Sequence, residues 1–208
     1  MKSDYNCTMS TRSAEYLEAI NHLPAGAILV VPGVGWEQYE SLLDDLDARP
    51  GVRISYDGGR LEIMSPLPEH EKYKEFISDL ARAFAEETSL PLEKLGSTAW
   101  KRRRIQKGIE ADACFYVANA HRIVGKRKID LESDPPPDIA VEIDTTNESS
   151  SKFPIYAALG VPEIWVYDGK QVEIYCLKDD SYIKTDTSNF LVGLSSSVLT
   201  EFLDISKA

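Results

Sequence analysis

Pro137-Asp138-Ile139-Ala140-Val141-Glu142-Ile143-Asp144, followed by Lys152-Phe153-Pro154-Ile155-Tyr156-Ala157-Ala158-Leu159-Gly160-Val161-Pro162-Glu163-Ile164-Trp165, is the stretch on which the fold turns. Residues 138 to 144 read as a short apolar strand with an acid, Glu142, in its middle. Residues 150 to 159 read as a short helix, capped by Gly160 and turned by Val161-Pro162, and Glu163 to Tyr167 is a further strand. A strand–helix–strand unit of this kind is a crossover, which makes its two strands parallel and its connection right-handed. The expected class is therefore α/β or α+β, with a mixed central β-sheet flanked by helices.

A second run outward from this unit repeats the anomaly. Gly108-Ile109-Glu110-Ala111-Asp112-Ala113-Cys114-Phe115-Tyr116-Val117 reads as another apolar strand with an acid inside it. A buried carboxylate costs several kcal/mol unless it is paired, hydrogen-bonded or bound to a metal. Strand alternation puts Glu110, Asp112, Cys114 and Tyr116 on one face of 109–117, and Asp138, Ala140, Glu142 and Asp144 on one face of 138–144. If those faces coincide, Asp112 and Glu142 are neighbours. Two like charges so placed raise one pKa or recruit a cation. Hard oxygen ligands in small number suit magnesium, which keeps waters and takes substrate phosphate oxygens. Two acids with Lys152 following suggest a metal-dependent hydrolytic site.

The remaining elements are legible by period and by breakers. Ala27 to Val31 is a short strand ended by Pro32-Gly33. Trp36 to Leu46 carries apolar residues at 36, 39, 42, 43 and 46, a helical period broken by Pro50-Gly51. Val52 to Tyr56 and Arg60 to Met64 are strands joined by the hairpin signal Asp57-Gly58-Gly59. Tyr73, Phe76, Ile77, Leu80 and Phe84 define a long amphipathic helix, led by Glu69 and Glu71 as the positive helix start prefers. Strands follow near 97 to 105 and over 109 to 117. Asp168-Gly169-Lys170 turns a second hairpin into Gln171 to Leu177, and a final helix includes Ser197 to Leu203. Residues 1 to about 15 are expected to be frayed. The 208 residues read as one domain.

Composition sets limits on function. A hydrophobic content of 43% and a charged content of 27% are ordinary for a globular chain. No apolar run is long enough to span a membrane, and Met1 to Cys7 lacks a signal-like apolar core, so the expected compartment is the cytoplasm. The three cysteines, Cys7, Cys114 and Cys176, are too scattered for a disulfide framework or a zinc site. The net charge of −11, from 23 basic and 34 acidic residues, opposes strong non-specific nucleic-acid binding. The cations are nevertheless clustered. Lys101-Arg102-Arg103-Arg104 with Lys107, and Arg122 with Lys126-Arg127-Lys128, flank the Asp112 strand. They read either as a solvated rim or as a local phosphate-binding edge, with Arg102, Arg103 and Arg104 as the nucleic-acid contacts.

Taken together, these motifs resemble the Uma-type branch of the PD-(D/E)XK nuclease superfamily, a restriction-endonuclease family. The block from Asp138 to Trp165 is close to that branch's signature. Asp57-Gly58-Gly59-Arg60-Leu61-Glu62-Ile63-Met64-Ser65-Pro66, with His70 beyond it, and Glu110 to Tyr116 also match. The likeness runs over about residues 36 to 203. It implies a restriction-endonuclease-like core, a magnesium cofactor (manganese as a substitute) and hydrolysis of nucleic acid, DNA foremost. A homodimer is left open. Asp112 and Glu142 would bind the metal, Glu62 and His70 would complete the catalytic set, and Lys152 would orient the attacking water or stabilise the charged transition state. Two departures stand out. Ala111 occupies the position of an expected proline, and Asp144 that of an expected lysine, which Lys152 supplies from the following helix. That leaves Asp144 as a further ligand or a helix cap.

Each assignment has a plainer alternative. Asp112 and Glu142 fit structural ion pairs, Glu62 an exposed strand position, His70 a satisfied core residue and Lys152 a surface position at a helix start. The competing function is a binding or regulatory module that keeps the nuclease fold without catalysis.

Overall fold

The hairpin signals and the crossover unit fix most of the topology. The computed structural model describes residues 11–46, 51–96, 98–126, 128–145 and 149–205. Of the segment expected to be frayed, the part from Thr11 is helical, in α1 (Thr11–Asn21), and residues 1–10, Cys7 among them, lie outside the described residues. It is followed by β1 (Ile28–Val31), α2 (Trp36–Leu46), β2 (Arg53–Asp57), β3 (Arg60–Met64) and α3 (Pro68–Glu87). Then come β4 (Glu93–Leu95), β5 (Ala99–Arg102), a 3-10 turn at Arg103–Ile105, β6 (Lys107–Glu110), β7 (Ala113–Tyr116), α4 (Ala120–Ile123) and β8 (Ile139–Ile143). A second 3-10 turn (Ser149–Lys152) leads into α5 (Phe153–Leu159), β9 (Glu163–Tyr167), β10 (Val172–Lys178), β11 (Ser181–Thr185) and α6 (Ser196–Ile205).

Among the described residues the strands form two sheets, where the sequence suggests one mixed central sheet. One has the order β1-β3-β2-β6-β5 and is antiparallel throughout. The other has the order β11-β10-β9-β8-β7-β4, and only its β8–β9 pair, the crossover through α5, is parallel. The hairpin β2–β3 closes with Asp57 opposite Arg60. Gly58 and Gly59 supply the positive φ values, 52° and 102°, that a two-residue turn requires. All five residues of β8 and of β9 are buried, as expected for parallel strands covered on both faces.

The second sheet is the middle layer of a sandwich. Ile139, Val141 and Ile143 pack with Ala113, Phe115 and Val117 against α3 (Ile77, Ala81, Ala85) and α6 (Leu199, Leu203). The opposite face carries Cys114, Tyr116, Ala140 and Ile164 against α5 (Ile155, Tyr156, Leu159). A third cluster joins α1 and α2 to the first sheet through Tyr39, Leu42, Ile54, Tyr56, Leu61 and Ile63.

The run from Gly108 to Val117 departs from the continuous strand expected. It breaks at Ala111-Asp112, and the chain leaves the first sheet at Glu110 and enters the second at Ala113. The break resets the alternation. Ile109 and Ala111 join Cys114 and Tyr116 in one cluster, whereas an unbroken strand would put them with Ala113 and Phe115. The strand expected near 97 to 105 shortens to Ala99–Arg102, because the chain coils into the 3-10 turn at Arg103.

Candidate active site

Asp112 stands at the junction of the two sheets, fully buried at 2% exposure. Its own N–H donates to the Val141 carbonyl at 3.1 Å, which docks the break onto β8. Its Oδ2 accepts from the Ile143 N–H at 2.9 Å and its Oδ1 from Arg53 Nε at 3.2 Å. Arg53 opens β2 and is itself buried; its second guanidinium nitrogen donates to Glu71 Oε1 on α3 at 2.8 Å. Burial first, and then the neighbouring Glu142 charge, push the Asp112 carboxyl above the ordinary aspartate range. The two acids are close enough to repel each other, although the break at Ala111-Asp112, and not the alternation of one continuous strand, sets the position of Asp112. Asp112, however, has a cation partner that the argument leaves out.

Glu142 lies on the β8 face that looks onto α5, beside Ala140. Its Oε2 accepts from Lys152 Nζ at 2.9 Å, and its Oε1 accepts from the Tyr156 hydroxyl. Lys152 and Tyr156 are four residues apart, so the start of α5 presents both to one carboxylate. Burial works against the Lys152 charge, but Glu142, Asp112 and Asp144 together outweigh it and hold the ammonium above its ordinary value. Asp144 thus adds to the negative field around Lys152. The Tyr156 hydroxyl is pushed well up by burial and by Glu142, so it remains a donor.

The other expected residues divide. Glu62, on β3, is buried at 7% exposure, forms an ion pair with Arg60 at 2.8 Å, and shares a narrow crevice with Arg53, Ser55, Glu110 and Lys152. It is therefore at the site rather than on an exposed strand face. His70 is buried in the first turn of α3; its Nε2 is 2.6 Å from Thr145 Oγ1, just beyond β8, and its Nδ1 has no hydrogen-bond partner among the described residues. His70 thus braces the segment that follows Glu142 and does not line the crevice. Asp138 belongs to the far end of β8, where it accepts from the N–H groups of Val117 and Asn119 and from the Asn119 amide.

The three arginines are engaged in the fold. Arg102 donates twice to the Leu131 carbonyl, at 3.0 and 3.3 Å. Arg103 pairs with Glu37 and Glu40, and Arg104 approaches Glu132 at 3.9 Å.

Two residues that hold Asp112 and Glu142 carry only a weak signal in the sequence. Arg53 is the lone charge in Val52-Arg53-Ile54-Ser55-Tyr56, the mirror of the argument that singled out the acids. Tyr156 lies one helical turn beyond Lys152 and reads as core by its period.

Among the described residues no group of three or more His, Cys, Asp or Glu side chains is arranged to hold a metal ion. The Asp112–Glu142 pair nevertheless fits a hard divalent ion. Both are hard oxygen donors lying close enough to repel each other, which is the charge pattern a divalent ion relieves. Magnesium needs only one or two carboxylates, with waters completing its shell.

With this geometry in place, comparison with known proteins decides the family. The family model described as Uma2, "Putative restriction endonuclease", matches residues 36–205. The chain belongs to the Uma2 family. No curated protein matches it in sequence. In structure, this Uma2 chain is similar to a protein from Anabaena variabilis described as a putative nuclease belonging to DUF820. The TM-score is 0.52 at 15% identity, over 77% of this chain and 98% of that one. That likeness is one of fold, and a nuclease-like fold is what the crossover unit and the flanking helices of the Uma2 chain form. No described helix is long and apolar enough to cross a membrane.

Proposed function

We propose that this Uma2 protein is a divalent-metal-dependent phosphodiesterase that hydrolyses nucleic acid, DNA foremost, at the site formed by Asp112, Glu142 and Lys152. The observation that carries it is the largely buried Lys152 ammonium set between acids, 2.9 Å from Glu142, at the start of a helix whose inner face is Ile155, Tyr156 and Leu159. A cation in that position has no packing purpose, and the acids beside it share only Lys152 and Arg53 as cations.

Asp112 and Glu142 would hold the ion, magnesium first and manganese second. When bound, such an ion lowers the pKa of a water and neutralises charge on phosphate oxygens. Lys152, held protonated, is suited to donate a hydrogen bond and not to accept a proton. Its role is to orient the attacking water and to stabilise negative charge on the phosphate. Tyr156 fixes the Glu142 carboxylate on its other oxygen. Arg53 fixes Asp112 and limits its repulsion from Glu142. Glu62 extends the acid wall of the crevice, and His70 positions the backbone beyond Glu142. Arg102, Arg103 and Arg104 reach phosphates only by giving up their present partners.

A second reading has its own support. The carboxylates of Asp112 and Glu142 are already met by Arg53, the Ile143 N–H, Lys152 and Tyr156, which is also how a purely structural network is built. On that reading the chain binds or regulates without catalysis. Incubation of the pure protein with plasmid DNA in chelator, magnesium and manganese separates the two. The proposal expects cleavage in the metal arms alone, and intact plasmid in all three arms supports the second reading.

A further inference from the structure

An open sheet has two end strands, and the ends of the two sheets are not alike. The first sheet ends in β1 and β5, the second in β11 and β4. An end strand presents a row of open backbone N–H and C=O groups, which proteins guard with charge, proline or cover. β5 carries Lys101 and Arg102, β4 carries Glu93 and Lys94, and β11 carries Lys184. β1 is Ile28-Leu29-Val30-Val31, with no charge, no proline and, among the described residues, no strand on its outer side. The lack of charge extends along the chain. From Leu23 to Trp36 there is no Asp, Glu, Lys or Arg, in a chain of which 27% is charged.

The side chains of β1 divide between two faces. Leu29 and Val31 pack into the cluster of Tyr39, Leu42 and Ile63. Ile28 and Val30 stand on the opposite face, 38% and 44% exposed. The register sets Ile28 opposite Met64 and Val30 opposite Glu62. Met64 and Glu62 both line the crevice with Lys152. The exposed apolar pair therefore extends the crevice face of the first sheet out to its end.

We propose that β1 is the contact strand of a symmetric dimer, in which it pairs antiparallel with β1 of a second copy. Such an edge is self-complementary. A two-fold axis normal to the sheet sets one β1 against the other, so each meets the open donors and acceptors of its mate. Charge favours this contact over the rest of the surface. With a net charge of −11, two copies repel wherever acids face each other, and the segment from Leu23 to Trp36 brings none. The two-fold preserves the faces, so Ile28 and Val30 of both copies gather on one side and bury each other as cross-strand pairs. The pairing joins two five-stranded sheets into one continuous sheet. Both crevices then open on the same side of it, with the two Glu62 positions three strand spacings apart, about 14 Å. A strand of four residues with its uncharged flanks buries less than a standard interface of roughly 1,200–2,000 Å². The dimer is accordingly a weak one that forms in the micromolar range. It goes beyond the phosphodiesterase reading and does not depend on it.

Sedimentation velocity over a concentration series tests the equilibrium, and hydrogen exchange tests the strand. The wild type should pass from monomer to dimer as concentration rises, with the amides of residues 28–31 gaining protection in step. Val30→Lys brings like charges to both sides of the two-fold and should raise the dissociation constant by about tenfold or more. Ile183→Lys puts the same charge at an exposed apolar position on the already charged edge β11 and should leave the constant unchanged. Circular dichroism verifies that both variants fold. A wild type that stays monomeric overturns the inference, and protection of 28–31 at every concentration would then assign the edge to another segment of the same chain. A dimer that Val30→Lys leaves intact, or that Ile183→Lys weakens equally, also overturns it. Metal-dependent cleavage by a monomeric wild type would leave the phosphodiesterase reading standing without the dimer, and a dimer that cleaves nothing would leave the dimer standing without that reading.

Discussion

Replacing Asp112 with asparagine keeps the shape of the side chain and removes its charge, and the structure sets the expected cost. The two oxygens accept from two different donors, Ile143 N–H at 2.9 Å and Arg53 Nε at 3.2 Å. An amide can satisfy one of them; its NH2 group then faces the other donor. A buried group left unsatisfied costs about 1–3 kcal/mol. Full loss of a buried ion pair costs about 3–5 kcal/mol, but two features reduce it here. Arg53 keeps Glu71 at 2.8 Å, and the repulsion between Asp112 and Glu142 is relieved. The net expectation for Asp112→Asn in chelator is a loss of about 1–3 kcal/mol, read as a fall of roughly 2–12 °C in Tm for a chain of this size. Thermal melts in chelator and in excess magnesium measure it, and magnesium should raise the Tm of the wild type but not of the variant. An isolated pair of repelling acids would instead make the variant equally or more stable in chelator. That result would refute the Arg53 pairing as the force that holds Asp112.

Three further perturbations probe the surroundings. Tyr156→Phe removes one donor from the buried Glu142 carboxylate and should cost about 1–3 kcal/mol in urea unfolding; a neutral result means the hydroxyl does not serve Glu142. Gly108→Ala would drive a Cβ into the Tyr39 hydroxyl and to 2.7 Å from its ring. Overpacking of that kind costs about 1–3 kcal/mol, and an unchanged unfolding midpoint would contradict the packing of α2 on β6. Burial raises the Glu110 carboxyl from its ordinary value to about 7. The folded state therefore holds the proton longer than the unfolded chain, and stability present at low pH is lost as pH rises from the ordinary carboxylate range through about 7. Glu110→Gln should flatten that decline, and parallel declines in both proteins would place Glu110 in solvent.

Much of the site was legible because its residues break the rule of their own element. Glu142 stands in the all-apolar run of β8, and Lys152 precedes the apolar helix α5; each is a charge with no local reason to be buried. The crossover itself follows from strand and helix periods with Gly160 as the stop. Arg53 was hidden by distance. It meets Asp112 across 59 residues, and a cation opening a strand ordinarily points to water. Tyr156 was hidden by its period, which is also that of a core residue. The division into two sheets turns on one event, the break at Ala111-Asp112. No glycine or proline marks it, since the ion pair with Arg53 and the bond to Ile143 N–H hold the chain there. Glu62 required the hairpin register, which sets it opposite Ser55 on the face turned to the crevice.

The most direct test of the catalytic claim is the metal-dependent cleavage rate of DNA by the wild type, Glu142→Gln and Lys152→Ala, each shown to be folded by circular dichroism. Loss of one charge-stabilising donor typically costs about 10²–10³ in rate. The site proposed here predicts that wild-type cleavage requires magnesium or manganese and that both variants fall by at least the lower of those factors. Cleavage at the wild-type rate in both folded variants would contradict it.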